Sequence, residues 1–373
     1  MKHAKHAILG ALSALLVLTG TASAGLLDKL NEWKDSVNQK KDTDRQFRFY
    51  AVENCIKYYE KGDFWRARSY CGQAAKIKKE LIYYAAVIYY KHKDVISALD
   101  FLQQAEQYLL EKLKQTEGEE KQKIKEQLTN VYLMFGETYE ELFYKQDEKP
   151  DLVKKSVEYY RKALSLAEEI DNKIVIALAG RGLGNIYFEW SFFYYTWLSK
   201  AEEVAEKALK AIEEAKETHE FKKGDIQYAK VRIYNLLGLI NHRKGDYKKA
   251  EEYYSKALSL AKKEYPELST IYEYNLANLY ESMKDYDKSI EYFRRAIENE
   301  KKKGKKAEIE DLAEWHERLA RIYLDHKNDK EQAKEQFISA LEYYEDLIKQ
   351  VDEYKRMKLE NKIKKLWEEI RKL

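Results

Sequence analysis

Residues 234–257 read YNLLGLINHRKGDYKKAEEYYSKA, and this stretch decides the fold. Leu237-Gly238 lie inside one apolar helical run, Gly245-Asp246-Tyr247 make a turn, and Ala250, Tyr254 and Ala257 then recur at spacings of four and three, which is one face of a second helix. Two antiparallel helices come close only where small residues meet. Gly238 is therefore set against the helix carrying Ala250 and Ala257, with the Tyr254 ring filling the groove beside that contact.

The same order of residues returns on both sides. Downstream come Leu276-Ala277, Tyr280, the turn Lys284-Asp285-Tyr286, then Ser289, Phe293 and Ala296. After these follow Leu319-Ala320, Tyr323, Lys327-Asn328-Asp329, then Ala333, Phe337 and Ala340. Upstream, Gly136 and Tyr139 go with Ser156, Tyr160 and Ala163, and Gly184 and Tyr187 go with Ala201, Ala205 and Ala208. The first two copies are Cys55, Tyr58, Gly62-Asp63-Phe64, Ala67, Cys71 and Ala74, then Ala86, Tyr89, Ala98, Leu102 and Ala105. That makes seven helical hairpins. A single hairpin cannot bury its own apolar face, so such copies stack.

The pattern resembles the tetratricopeptide repeat family, most closely over residues 231–262 and 270–299 and more loosely over 47–347. Asn241 stands where the family has Tyr. The spacing also departs from the usual ~34 residues: Gly184 to Gly238 is 54 residues, Gly238 to Ala277 is 39 and Ala277 to Ala320 is 43. The helices must be long, as in kinesin light chains and bacterial peptide-binding regulators. The resemblance implies an all-α, right-handed α-solenoid of about seven hairpins with terminal capping helices, whose concave face binds a peptide or protein.

Composition agrees. Charged residues make up 36% of the 373, with Lys+Arg 68 against Asp+Glu 65, too balanced for a nucleic-acid partner. Only two prolines interrupt a helical chain. The abundance of Lys and Glu also matches a protein from a hot environment. The first 24 residues read as a secretory leader: MKHAKH is basic, residues 7–18 (AILGALSALLVL) are apolar but short for a membrane span, and Ala22-Ser23-Ala24 is a cleavage site ahead of Gly25. An uncleaved anchor is the competing reading. No cysteine follows the site, so the expectation is export to the periplasm or beyond without a lipid anchor. Residues 25–46 carry Leu26, Leu27, Leu30, Trp33 and Val37 on one stripe, a cap or a short surface anchor, with the cap favoured. Residues 348–373 put Val351, Leu359, Ile363, Leu366 and Ile370 on a similar stripe that covers the open end of the stack.

Chemistry is hard to find. Outside the leader, His92, His219, His242, His316 and His326 are scattered without metal-ligand spacing, and two cysteines cannot make a zinc site alone. Gly180, Gly182 and Gly184 lie inside a helix with no preceding strand, so they are no phosphate loop, and Gly184 already serves as the close-contact residue of its repeat. No catalytic residue, cofactor or metal is assigned, and no enzyme is expected. Cys55 and Cys71 take the places of Gly238 and Tyr254, equally far from the Gly62-Asp63 turn. In an exported chain they form a disulfide, the alternative being two buried thiols.

Two binding features remain. Residues 189–200, EWSFFYYTWLSK, place six rings (Trp190, Phe192, Phe193, Tyr194, Tyr195 and Trp197) at a hairpin tip about five residues longer than that after Gly238. The turn falls near residues 191–193. The rings either pack on one another and on Phe143 and Tyr144, or form a site for a partner, a membrane surface or a small ligand. In the family, the first helix of each hairpin lines the concave face. The resemblance then assigns Arg181 and Asn185, Arg232 and Asn235, and Tyr274 and Asn278 to a groove, with Arg and Asn resembling a clamp for a peptide's carboxylate and main chain. Val52, Ile56, Tyr83 and Val87 take the equivalent places in the first copies, which implies a greasy N-terminal end to the groove.

Overall fold

The computed structural model describes residues 43–145, 149–218, 221–304 and 307–373. The leader, its cleavage site, the stripe from Leu26 to Val37 and His219 lie outside the described residues. Among those described there is no strand, and fifteen α-helices follow one another. They are α1 (Thr43–Glu60), α2 (Phe64–Ile77), α3 (Ile82–Lys91), α4 (Val95–Leu113), α5 (Gly118–Lys145), α6 (Pro150–Glu169), α7 (Lys173–Trp190), α8 (Thr196–Glu214), α9 (Lys223–Lys244), α10 (Tyr247–Glu264), α11 (Ser269–Ser282), α12 (Tyr286–Lys302), α13 (Ile309–Asp325), α14 (Lys330–Leu347) and α15 (Glu353–Ile370). Seven hairpins pair α1 with α2 through α13 with α14, and α15 follows alone.

Five of the turns are built identically. Gly62, Lys93, Gly245, Lys284 and Asn328 take positive φ of 68, 57, 81, 61 and 52°, the left-handed conformation that ends a helix. The next residue is always Asp, whose side chain accepts the N–H three residues on and so caps the following helix. The tip of the fourth hairpin lacks this device: α7 ends at Trp190 and α8 starts at Thr196.

Two compact units divide the chain. The first runs to Ile186 and includes Lys210–Lys223, and the second comprises Tyr187–Leu209 and Gly224–Leu373. In the first unit each helix from α1 to α6 packs on the next, and α3 also touches α1 and α5. Odd helices thus form an inner layer and even helices an outer one. In the second unit α10 to α15 pack in the same chain order. Here Leu359, Leu366 and Ile370 of α15 are buried, with Val351 and Ile363 half-buried against the core of α12 to α14. Among the described residues no helix is long and apolar enough to cross a membrane.

The small-residue contact is tighter than the sequence implied. A Cβ at Gly238 would overlap the Tyr254 ring itself, so the ring sits on the glycine rather than beside it. In the first unit Tyr160 is enclosed on two sides, since a Cβ at either Gly136 or Gly182 would overlap it. Gly182 is therefore a second close-contact glycine against Tyr160, beside the Gly136 that the sequence pattern pairs with it. Ser156 and Ser289, at the place of Ala250, donate their hydroxyls to the carbonyls of Gly136 and Ala277 at 2.8 and 2.9 Å, fixing helix register. In the first hairpin, Cys55 and Cys71, at the places of Gly238 and Tyr254, are joined by a disulfide, with Cα atoms 4.7 Å apart.

Candidate functional site

Three surfaces carry the residues singled out by sequence. The first is the inner layer of the first unit. Arg181, on α7, is only 5% exposed. Its guanidinium donates to Glu137 Oε1 of α5 at 3.2 Å, and the other oxygen of Glu137 accepts the Tyr90 hydroxyl of α3. One turn along α5, Glu140 accepts the hydroxyl of Tyr160. Burial, and then Glu137, push the Tyr90 hydroxyl well above its ordinary pKa, and burial with Glu140 does the same to Tyr160. Burial opposes the charge on Arg181, yet Tyr160, Glu140 and Glu137 hold its pKa above the ordinary arginine value. A guanidinium sealed and paired in this way cannot offer its fork to a peptide. This corrects the groove assignment of Arg181, while Asn185 beside it is half-buried. Val52, Ile56, Tyr83 and Val87 are likewise not a greasy groove lining. All four are buried, because α1, α3 and α5 pack directly on one another.

The second surface is the inner layer of the second unit. Arg232 of α9 is exposed, its guanidinium 5.7 Å above the Tyr228 ring. Asn275 of α11 donates to Asn235 Oδ1 across the helix interface at 2.7 Å. Asn278, one turn further along α11, is half-buried, and its Oδ1 is sealed from water with no hydrogen-bond donor. Tyr274 stacks on Trp315 of α13 at 5.1 Å. Arg318 of α13 donates to Glu281 of α11 at 2.8 Å. The structure thus groups Arg232, Asn235, Tyr274 and Asn278 on successive inner helices of one unit.

The third surface is the aromatic tip, residues 190–198, which belongs to the second unit. Trp190 and Trp197 meet edge to face at 4.8 Å, and Tyr187 lies 5.1 Å from Trp197. Phe192, Phe193, Tyr194 and Tyr195 are instead exposed, Phe193 to 81%. Two of the six rings therefore pack on each other and four do not. Arg243, at the end of α9, pins the turn: its guanidinium lies 3.8 Å from the centre of the Phe192 ring and donates to Ser191 O at 2.9 Å. Sequence reasoning missed Arg243, and its place in the repeat pattern gives no sign of this contact. It also missed Trp65 and Ile96, 73% and 84% exposed two residues past their cap Asp. The signal for these was present, since later copies carry Lys248, Asp287 and Glu331 there.

Among the described residues no group of three or more His, Cys, Asp or Glu could hold a metal ion. Tetratricopeptide repeat models match residues 231–264 and 272–302. No curated protein matches the chain. Among solved structures, a Rap protein complexed with Competence and Sporulation Factor is similar at 16% identity and TM-score 0.44, over 94% of this chain and 99% of that one. Aspartyl phosphate phosphatase F from Bacillus subtilis is similar at 18% identity and TM-score 0.44, over 86% and 80%. BtubC (BKLC) from P. vanneervenii is similar at 17% identity and TM-score 0.43, over 68% and 90%.

Proposed function

Taking as premise that the chain is a tetratricopeptide-repeat protein, a protein-interaction scaffold, we propose that it is exported and binds an extended peptide segment of a partner along the inner helices of its second unit. The observation that carries this reading is the placement of Arg232, Asn235, Tyr274 and Asn278 on successive inner helices of one unit, with Asn235 and Asn278 half-buried. A peptide main chain supplies one N–H and one C=O per residue, which an amide side chain can bond together. The exposed guanidinium of Arg232 adds a fork suited to a carboxylate. Export is supported by the leader-like first 24 residues and by the Cys55–Cys71 disulfide, which persists in oxidising compartments. The role is that of a scaffold and not of an enzyme.

The test is a displayed library of random peptides panned on the full chain, followed by affinity measurement of the best sequence. Asn235→Ala with Asn278→Ala should weaken binding about tenfold or more, with a modest fall in melting temperature because Asn275 loses its acceptor. Unaltered affinity in that variant would remove the inner layer of the second unit as the binding face.

A further inference from the structure

The aromatic tip carries a separate inference from its own construction. We propose that the turn 191–195 is a membrane-contact element that enters the interfacial layer of a bilayer containing anionic lipids. The first ground is exposure. Phe192, Phe193, Tyr194 and Tyr195 are consecutive and all exposed to solvent, and contiguous exposed rings mark an interaction site. Phenylalanine and tyrosine side by side combine an apolar body with hydroxyl-bearing rims, the chemistry of the membrane–water interface.

The second ground is the main chain of the turn, most of whose donors are bonded within it. Ser191 N–H bonds to the carbonyls of Tyr187 and Phe188, Phe192 N–H to Glu189, and the N–H groups of Phe193 and Tyr194 both to Trp190 O. The Ser191 hydroxyl donates to Phe188 O, and the Ser191 carbonyl accepts from Arg243. With the N–H groups of 191–194 bonded within the turn, few donors are stranded when the rings leave water for the polar–apolar boundary of a bilayer.

The third ground is charge and rigidity. Lys200, Lys248 and Lys249 are exposed, Lys249 3.4 Å from Asp246, while Lys244 is paired with Glu202 and Arg243 is held by Ser191 and Phe192. Exposed lysines with exposed rings are the composition of surface-bound segments on anionic lipid. The Trp190–Trp197 pair and the Arg243 clamp hold the turn in shape, so little order must be gained on contact.

The test uses the full chain with vesicles of phosphatidylglycerol and phosphatidylethanolamine whose acyl chains are brominated, read by quenching of tryptophan emission. The wild-type protein should be quenched, and Trp190→Phe with Trp197→Phe should remove most of that quenching. Phe193→Asp with Tyr194→Asp should raise the lipid concentration for half-quenching at least tenfold. These two side chains are solvent-exposed, so the melt should not move; if it does, Phe193→Ser with Tyr194→Ser replaces that variant. Lys248→Glu with Lys249→Glu should abolish the preference over phosphatidylcholine vesicles. Equal quenching in wild type and F193D/Y194D would mean that residues 7–18 alone bind lipid, and would overturn the proposal. So would loss of protein-partner capture by F193D/Y194D with no change at vesicles. Peptide affinity at Asn235 and Asn278 is read separately, so either idea can fail without the other.

Discussion

Tyr160 and Tyr254 hold the same place in the repeat and live differently. Both are fully buried rings lying on a glycine of the preceding inner helix. Tyr160 passes its hydroxyl to Glu140, beside the buried Arg181–Glu137 pair. The hydroxyl of Tyr254 is buried with no partner. The first unit ties its inner helices together with the buried Arg181–Glu137 pair, and the second with the more exposed Arg318–Glu281 pair and the Asn275–Asn235 amide bond. Both hold a buried amide oxygen without a donor, Asn130 in the first and Asn278 in the second. The presence of an arginine at the expected register was therefore no guide to a binding face.

The sharpest way to break this comparison is to remove one arginine from each unit. Arg181→Ala leaves Glu137 and Glu140 in a buried place without their cation, and stability should fall by about 3–5 kcal/mol, as for a broken buried ion pair. Arg232→Ala, on an exposed side chain, should change stability by less than about 0.5 kcal/mol. Urea unfolding of the two variants beside wild type checks this. Coincident midpoints for the two would show that the buried network does not brace the first unit.

The disulfide comes next. Cys55–Cys71 and Gly238–Tyr254 span the same 16 residues of sequence and the same inter-helix contact. Cys55→Ala with Cys71→Ala should cost about 3 kcal/mol on the loop-entropy view. Gly238→Ala, which drives a methyl into the Tyr254 ring, should cost about 2 kcal/mol by overpacking. Hydrogen exchange resolves the two effects: α1 and α2 should lose protection in the first variant, α9 and α10 in the second. Unchanged protection of α1 and α2 would mean that packing alone holds the first hairpin.

The contrast also marks what a sequence can display. The turns were legible because their chemistry is local: a residue able to take positive φ, then Asp, then the outer helix. Cys55 and Cys71 could be paired because they fall at keystone places of one register. The aromatic turn was placed near Ser191, where α7 does end, because a length difference of five residues has to go somewhere. Arg181 was misread because its fate depends on Glu137, 44 residues away on another helix. Val52, Ile56, Tyr83 and Val87 were misread because a repeat pattern says which face a residue takes but not how closely the next inner helix covers it. Whether an apolar tip is core or surface is likewise a matter of neighbours, and Arg243 supplies a cation and not an apolar cover.

A pH titration tests the second unit by itself. His316 of α13 is 4% exposed, stacks on Tyr343 and is bonded through Nδ1 to Gln336 Oε1 at 2.7 Å, with Nε2 buried and bare. Burial, with Lys301 nearby, lowers its pKa from 6.5 to about 4, against the opposing pull of Gln336. The unfolded chain therefore takes up the proton first. The contribution is complete above pH 6.5 and is lost as pH falls, by about 2 kcal/mol at pH 5 relative to pH 7.5. His316→Gln should flatten that part of the stability profile. A wild-type profile flat between pH 7.5 and 5 would place the imidazole in water.

The smallest effect addresses the two tyrosines directly. Tyr254→Phe deletes a hydroxyl that is buried and bonded to nothing, and keeps the ring that Gly238 makes room for. Removing an unsatisfied buried group is neutral or favourable, so stability should hold or rise by up to about 1 kcal/mol. Tyr160→Phe has the opposite sign, because it takes the donor away from Glu140 in a region where burial already disfavours charge. Its cost should be about 1–2 kcal/mol. Thermal melts of the two single variants and of the double variant measure both terms, which should add because the sites share no partner. If Tyr254→Phe proves as damaging as Tyr160→Phe, the Tyr254 hydroxyl has a partner after all.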